Sequence, residues 1–258
     1  MSDLRTCAVI PAAGQGSRLG TGIPKIMLEI ADGVTVWSLL LRRLRPWVEH
    51  IHVVLSPSGE GPFRRLAAEE IARGQVTVSV QATPTGMGDA VFGAAPYWLG
   101  HDAILVVWGD QANVSAATLG RVVRAHARTA SPDRPGLVLP LVPLPDPYVE
   151  YEYDAATSRL LRVRMSREGD RCRPGGLGDV GVFCLGTREL TEAWNRFLAD
   201  AVPGAVTGEI NFLPFLTCLS RQGRPVTAVP VGDPDEARGI NTPADLEFAR
   251  TAYLRRAD

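Results

Sequence analysis

"IPAAGQGSRLGTGIPK", residues 10–25, decides how this chain is read. It continues the apolar run "TCAVIPA" (6–12) and ends on Lys25. The chain has 27 lysines and arginines together, and Lys25 is the only lysine among them. Gly14 and Gly16 carry no Cβ, so backbone N–H groups there can approach a phosphate chain closely. A compact ammonium follows phosphate oxygens through a reaction, whereas a planar guanidinium needs fixed fork geometry. A strand, a glycine-rich turn and one retained lysine predict a loop that wraps a nucleoside triphosphate. Arg18 and Lys25 are then its charge clamps.

Two other phosphate-binding loops fit the stretch less well. A dinucleotide fingerprint needs a third glycine where this chain has Leu19, with Gly20 one place late. It also needs an acid closing the second strand, which here ends in Ser56-Pro57. A nicotinamide-dependent oxidoreductase therefore stays a distant alternative. A Walker loop needs Ser or Thr after its lysine, and Ile26 stands there.

The whole chain bounds the answer further. At 258 residues with 45% hydrophobic and 21% charged content, it is long enough to bury a full core. A net charge of −1 gives no global basic field for nucleic acid. Arg42, Arg43 and Arg45 read as a solvated helix face. Cys7, Cys172, Cys184 and Cys218 show no metal or disulfide spacing, which suits a reducing compartment. No apolar run approaches the ~20 residues of a membrane span, and the start runs straight into a strand, so a cytoplasmic protein without a membrane partner is expected. The oligomeric state is not readable.

β-branched runs at 6–12, 50–56, 75–81, 103–110 and 135–142 alternate with helical patterns at 35–47, 62–74, 88–100 and 116–129. That rhythm predicts an α/β fold: a Rossmann-like, mostly parallel sheet covered by helices on both faces. Ligands in such sheets sit beyond the carboxyl ends of the strands, which selects loops 11–25, 82–89 and 109–113. After residue 143 strict alternation around a turn predicts a small antiparallel hairpin lobe. The expectation is a single domain over 1–258, with a nucleotide-binding half (1–142) and an acceptor-binding half (143–258). Asp110 could cap the helix that follows it, and Asn241 or Thr242 the last helix.

The glycine stretch resembles the A-A-G-x-G-[ST]-R…P-K signature of nucleotidyltransferases with the sugar-nucleotide pyrophosphorylase fold. "VQATPTGMGDAV" (80–91), "VVWGDQ" (106–111), "TGEINFLPFL" (207–216) and "ARGINTPADLEFA" (237–249) extend the resemblance to N-acetylglucosamine-1-phosphate uridylyltransferases over residues 1–250. The β-helix acetyltransferase of that family is not expected. The resemblance implies catalytic roles for Arg18 and Lys25. It implies nucleotide binding by Ala12, Ala13, Gly14, Gly16, Ser17, Gln81, Thr85, Gly86, Met87 and Asp110. It further implies acceptor binding by Asp179, Gly181, Glu209 and Asn241, and Mg²⁺ on Asp110 and Asn241. Gln81 would read a base edge, pointing to a pyrimidine triphosphate, UTP or CTP.

The implied reaction moves a nucleoside monophosphate onto the phosphate of a sugar-1-phosphate or sugar-like acceptor and releases pyrophosphate. Departures fall on the base and acceptor sides. Met87 and Asp89 stand where a hydroxyl residue and a histidine are expected. Ser166 stands near an expected acid, and Asp179-Val180-Gly181 replaces an asparagine-led motif. Arg164, Arg167, Arg171 and Arg173 surround this region and read either as a solvated hairpin and loop or as ligands of an acceptor with an extra anionic group or without the usual sugar hydroxyls. The missing acid keeps a cytidylyltransferase acting on a small phosphonate or phospho-alcohol as an alternative. The first 60 residues are also compatible with methylerythritol-phosphate cytidylyltransferases. A catalytically silent nucleotide-binding scaffold is the alternative of another class.

Overall fold

The computed structural model describes residues 4–14, 20, 22–83, 85–131 and 135–256. The first half of the chain runs β1 (Thr6–Ala12), β2 (Glu29–Ala31), β3 (Val34–Thr35), α1 (Val36–Leu44), β4 (His50–Leu55), α2 (Pro57–Leu66), α3 (Ala68–Ala72) and β5 (Val76–Val80). It continues through α4 (Met87–Gly93), α5 (Ala95–Trp98), β6 (Ala103–Val107), α6 (Ala116–Thr129) and β7 (Leu137–Pro143). The second half holds β8 (Val149–Asp154), β9 (Arg159–Met165), β10 (Leu177–Asp179), β11 (Val182–Gly186) and α7 (Leu190–Asp200). It ends with α8 (Leu213–Arg221), β12 (Val226–Pro230) and α9 (Pro243–Arg256).

β1 lies at the centre of the main sheet, with β4 and β6 parallel on its two sides and β5 parallel beyond β4. Alternate residues of β1 enter opposite layers. Ala8 and Ile10 join one apolar core with Leu39 and Leu40 of α1 and Leu119 of α6. Cys7 and Val9 join the other with Val91 of α4, Trp194 of α7 and Phe215 of α8. Strands buried on both faces read as continuous apolar runs, which is why periodicity located them.

The sheet is mostly parallel on this side and mixed on the other. β11 lies antiparallel between β6 and β7, and β12 adds in parallel to the far edge of β7. β10 and β11 follow the same edge of β7 and are separated at Gly181, whose φ is +70°. β8 and β9 form the expected hairpin as a separate two-stranded sheet resting on α8.

Two helix expectations shift. The pattern at 62–74 resolves into α2, which starts at Pro57, and α3, with the join at Ala67. Pro57 at the first helical position explains the early start, since its missing N–H costs nothing there. The pattern at 88–100 divides at Ala94 into α4 and α5.

The solvated face expected for Arg42, Arg43 and Arg45 needs correcting at its middle member. Arg43 is buried, and its guanidinium donates to the carbonyls of Ala112 at 2.7 Å and Val114 at 3.0 Å. Those carbonyls belong to the loop after β6, so a buried cation braces the segment that carries Asp110.

Candidate active site

A cavity of about 570 Å³ opens at the carboxyl ends of the parallel strands. The side where the sequence places the nucleotide is built around the three loops it selected. Ala12 ends β1 and Ala13 and Gly14 follow it, Gly109 and Asp110 follow β6, Gln81 and Gly86 lie between β5 and α4, and Met87 opens α4. Gly16, Ser17 and Arg18 fall outside the described residues.

Lys25 is the centre of the arrangement. Its Nζ donates to Asp110 Oδ2 at 2.9 Å and to Asn241 Oδ1 at 2.7 Å. The lysine opens a short 3-10 turn held by buried Ile26, so the ammonium is aimed by packing rather than by its own stem. Asp110 and Lys25 side chains are each about one-fifth exposed, dry enough to strengthen the charge and open enough to receive a ligand.

Neither Asp110 nor Asn241 is a helix cap, and of the two candidates for the last helix it is Thr242 that caps it. Ser115 caps α6 by accepting from Thr118 N–H at 3.1 Å, which leaves Asp110 to the cavity. Thr242 caps α9: its hydroxyl accepts from Asp245 N–H at 3.2 Å, and Asp245 accepts back from Thr242 N–H at 2.9 Å. Asn241 keeps its carbonyl oxygen for Lys25. Burial raises the Asp245 carboxyl, but Arg238, Thr242 and Asn241 N–H outweigh burial and hold it below the usual carboxylate range.

Asp110 and Asn241 offer one carboxylate and one amide oxygen that converge on the Lys25 ammonium, so a divalent cation would have to share these oxygens with it. No group of three or more His, Cys, Asp or Glu that could hold a metal ion by themselves occurs among the described residues. Two hard oxygens suit magnesium when waters and a bound nucleotide's phosphates complete its shell.

Where a base was expected, Gln81 Nε2 donates to Gly86 O at 3.0 Å and Thr85 Oγ1 at 3.3 Å. Thr85 does not line the cavity and instead orients Gln81. Gly86 has φ +126°, and a Cβ there would stand 2.9 Å from Ile210 O. Only glycine lets the base-side loop meet the segment that carries Glu209.

The acceptor side differs from expectation in detail. Asp179 borders the cavity, but its carboxylate already accepts from Tyr151 OH at 2.9 Å and Gly181 N–H at 2.6 Å. Burial pushes its pKa up, and the two donated hydrogen bonds offset part of that. Gly181 does not line the cavity; it packs against Gln111, whose side chain a Cβ would meet at 2.5 Å. Glu209 lines the cavity and receives Arg167 at 2.9 Å.

The neighbouring arginines divide. Arg164 and Arg173 pair with Glu150, a fully buried carboxylate on β8, and Arg164 also reaches Glu152 at 2.8 Å. Burial raises the Glu150 carboxyl, and Arg173 with Arg164 more than reverses this, leaving it below the usual range. Only Arg167 of the four borders the cavity. A buried acid on the hairpin, not a bound anion, accounts for Arg164 and Arg173.

Sequence reasoning gave no role to Trp108, Tyr148, Met165 and Asn211, which also line the cavity. Trp108 was inside a quoted motif, directly before Gly109. Tyr148 and Met165 flank the hairpin from its two sequence ends, and the pairing of β8 with β9 brings them together at its open end.

Among known proteins, the family model described as a MobA-like NTP transferase domain matches residues 8–201. The bifunctional protein GlmU of Gluconacetobacter diazotrophicus is 30% identical over 251 residues, 96% of this chain and 51% of that protein. That of Geobacter sulfurreducens is 29% identical over 260 residues, 97% and 51%. The chain thus spans about half the length of the curated relatives it matches. In fold, it superposes on a UDP-glucose pyrophosphorylase complexed with UDP-glucose at a TM-score of 0.74. That structure is 15% identical, and the match covers 98% of this chain and 99% of the other. No helix among the described residues is long and apolar enough to cross a membrane.

Proposed function

Because the chain belongs to the family of MobA-like NTP transferase domains, we propose that its cavity transfers a nucleoside monophosphate from a triphosphate to a sugar-1-phosphate. The observation that carries this reading is Lys25 Nζ held between Asp110 and Asn241, three residues brought together from distant parts of the chain. A cation fixed between two oxygens at the mouth of a parallel sheet suits a reaction whose main demand is charge neutralisation.

An acceptor phosphate oxygen attacks the α-phosphorus in line, the bond from that phosphorus to the bridging oxygen breaks, and pyrophosphate departs with the electron pair. The attacking oxygen is largely ionised at pH 7, so no side chain need remove a proton. Lys25, with Arg18 from the glycine loop, lowers the barrier by meeting charge on the transferring group. Asp110 and Asn241 would hold Mg²⁺, which supplies Lewis-acid neutralisation of the phosphates when bound. Gln81, oriented by Gly86 and Thr85, reads the base edge, and a pyrimidine, UTP or CTP, is the proposed base.

A second reading keeps the chemistry and changes the acceptor to a small phosphonate or phospho-alcohol. It is favoured by Asp179, whose carboxylate is already engaged by Tyr151 and Gly181 rather than open to sugar hydroxyls. Pyrophosphate release with each of four triphosphates, against a panel of sugar-1-phosphates and small phosphorylated alcohols, separates the two. Release that survives Asp110→Ala unchanged would reject both.

A further inference from the structure

Glu168 is a single carboxylate on the turn after β9, and it gathers an entire segment of chain. One oxygen, Oε1, accepts from the Thr207 hydroxyl at 2.6 Å and from Asn211 Nδ2 at 3.1 Å. The other accepts from the backbone N–H groups of Val206 at 3.0 Å and Thr207 at 3.3 Å. Its side chain is only 7% exposed. Gly204 lies so close that a Cβ there would come within 2.5 Å of both oxygens. The segment closes on itself, with Gly204 N–H donating to Glu209 O at 2.9 Å and Gly208 N–H to Gly204 O at 2.9 Å.

The far side of this segment lines the cavity with Glu209 and Asn211. Arg167, next to Glu168, reaches Glu209 from the same turn. An ionised carboxylate can only accept, so Asn211 must turn its NH₂ toward Glu168. Its carbonyl oxygen is then the end left for a bound molecule. The donors, led by the Thr207 hydroxyl, outweigh burial and hold the Glu168 carboxyl down at about 2, so it stays an acceptor across the working range.

We propose that Glu168 is the positioning residue of the acceptor pocket. It hangs segment 204–211 on the hairpin, places Glu209 and Asn211 at the cavity, and sets the Asn211 amide so that an oxygen faces the acceptor. Two hydrogen-bond acceptors, the Glu209 oxygen that Arg167 does not take and the Asn211 carbonyl, then select an acceptor molecule that carries a hydroxyl or ammonium donor beside its phosphate. This rests on the nucleotidyl-transfer reading.

Glu168→Gln tests it, since it keeps the shape and replaces an accepting oxygen with NH₂. The expected result is a rise in KM for the phosphorylated acceptor of about tenfold or more, the loss of charged hydrogen bonds. Turnover at saturation and stabilisation by the triphosphate stay within about twofold by the same reasoning. An unchanged KM overturns the proposal, as does an equal loss of triphosphate binding, which would mark a merely structural role. Asn211→Ala combined with Glu168→Gln should be less than additive; full additivity overturns the orientation of Asn211. Absence of wild-type turnover with every acceptor sinks the proposed function instead. Glu168 is then judged by hydrogen exchange at Val206 and Thr207: faster exchange in Glu168→Gln keeps its anchoring role, and unchanged exchange removes it.

Discussion

The two sides of the cavity are made differently. The side proposed for the nucleotide hangs on the ends of β1 and β6, parallel strands buried on both faces, and its geometry is set mainly by backbone and by one lysine. The acceptor side is set by ion pairs and side-chain hydrogen bonds between segments far apart in sequence: Arg173 with Glu150, Arg167 with Glu209, Glu168 with Thr207 and Asn211. A strand-end loop can keep its chemistry with few residue choices. A pocket held by paired side chains can change what it accepts one pair at a time.

The largest effect should come from the nucleotide side. Lys25→Ala removes the cation between Asp110 and Asn241, and turnover should fall by about 10²–10³-fold or more, on the scale of losing a preorganised electrostatic contact. Circular dichroism and the unfolding midpoint without ligand should change little, because the Asp110 and Asn241 oxygens that lose the ammonium open onto the cavity, where water can take its place. A matched collapse of structure and rate would show the lysine to be a structural cation instead.

Gly181→Ala strikes the seam between the sides. It forces a left-handed backbone onto a residue with a Cβ and drives that Cβ toward Gln111. Strain and overpacking together should cost about 2–4 kcal/mol, read as a drop in the denaturant midpoint. Both triphosphate and acceptor binding should weaken, where Glu168→Gln weakens only the second.

Acid should loosen the sheet layers around β4 and α6 before it loosens segment 204–211. His52 of β4 and His126 of α6 are buried, and burial lowers each to about 4. Their unfolded forms take up protons first, near pH 6.5, so stability falls as pH drops from about 6.5 to 4, by up to about 3 kcal/mol each. Glu168, lowered to about 2, keeps its contribution above its unfolded range and loses it only as pH falls from about 4.5 toward 2. Hydrogen exchange followed by region should therefore accelerate in β4 and α6 before segment 204–211. The reverse order would break the contrast.

The same contrast explains what was legible. The parallel strands, the ligand-bearing loops and the placing of Lys25 all rest on local signals: apolar runs, glycines, and one lysine among arginines. The insertion of β11 between β6 and β7 was not legible, because pairing order is decided by the whole sheet. Arg43 looked solvated because its partners, the carbonyls of Ala112 and Val114, are invisible to periodicity. Glu150 and Glu168 were missed for a like reason. A carboxylate in a charged stretch looks solvated until the fold buries it among donors.

The most direct test of the central claim is the unfolding midpoint with each nucleoside triphosphate and Mg²⁺, on wild type and Lys25→Ala. It needs no knowledge of the acceptor. At a hundredfold excess over Kd, UTP or CTP should raise the wild-type midpoint by roughly 5–10 °C, and the shift should be largely lost in the variant. No shift with any triphosphate, or equal shifts in both proteins, would contradict a triphosphate site built around Lys25.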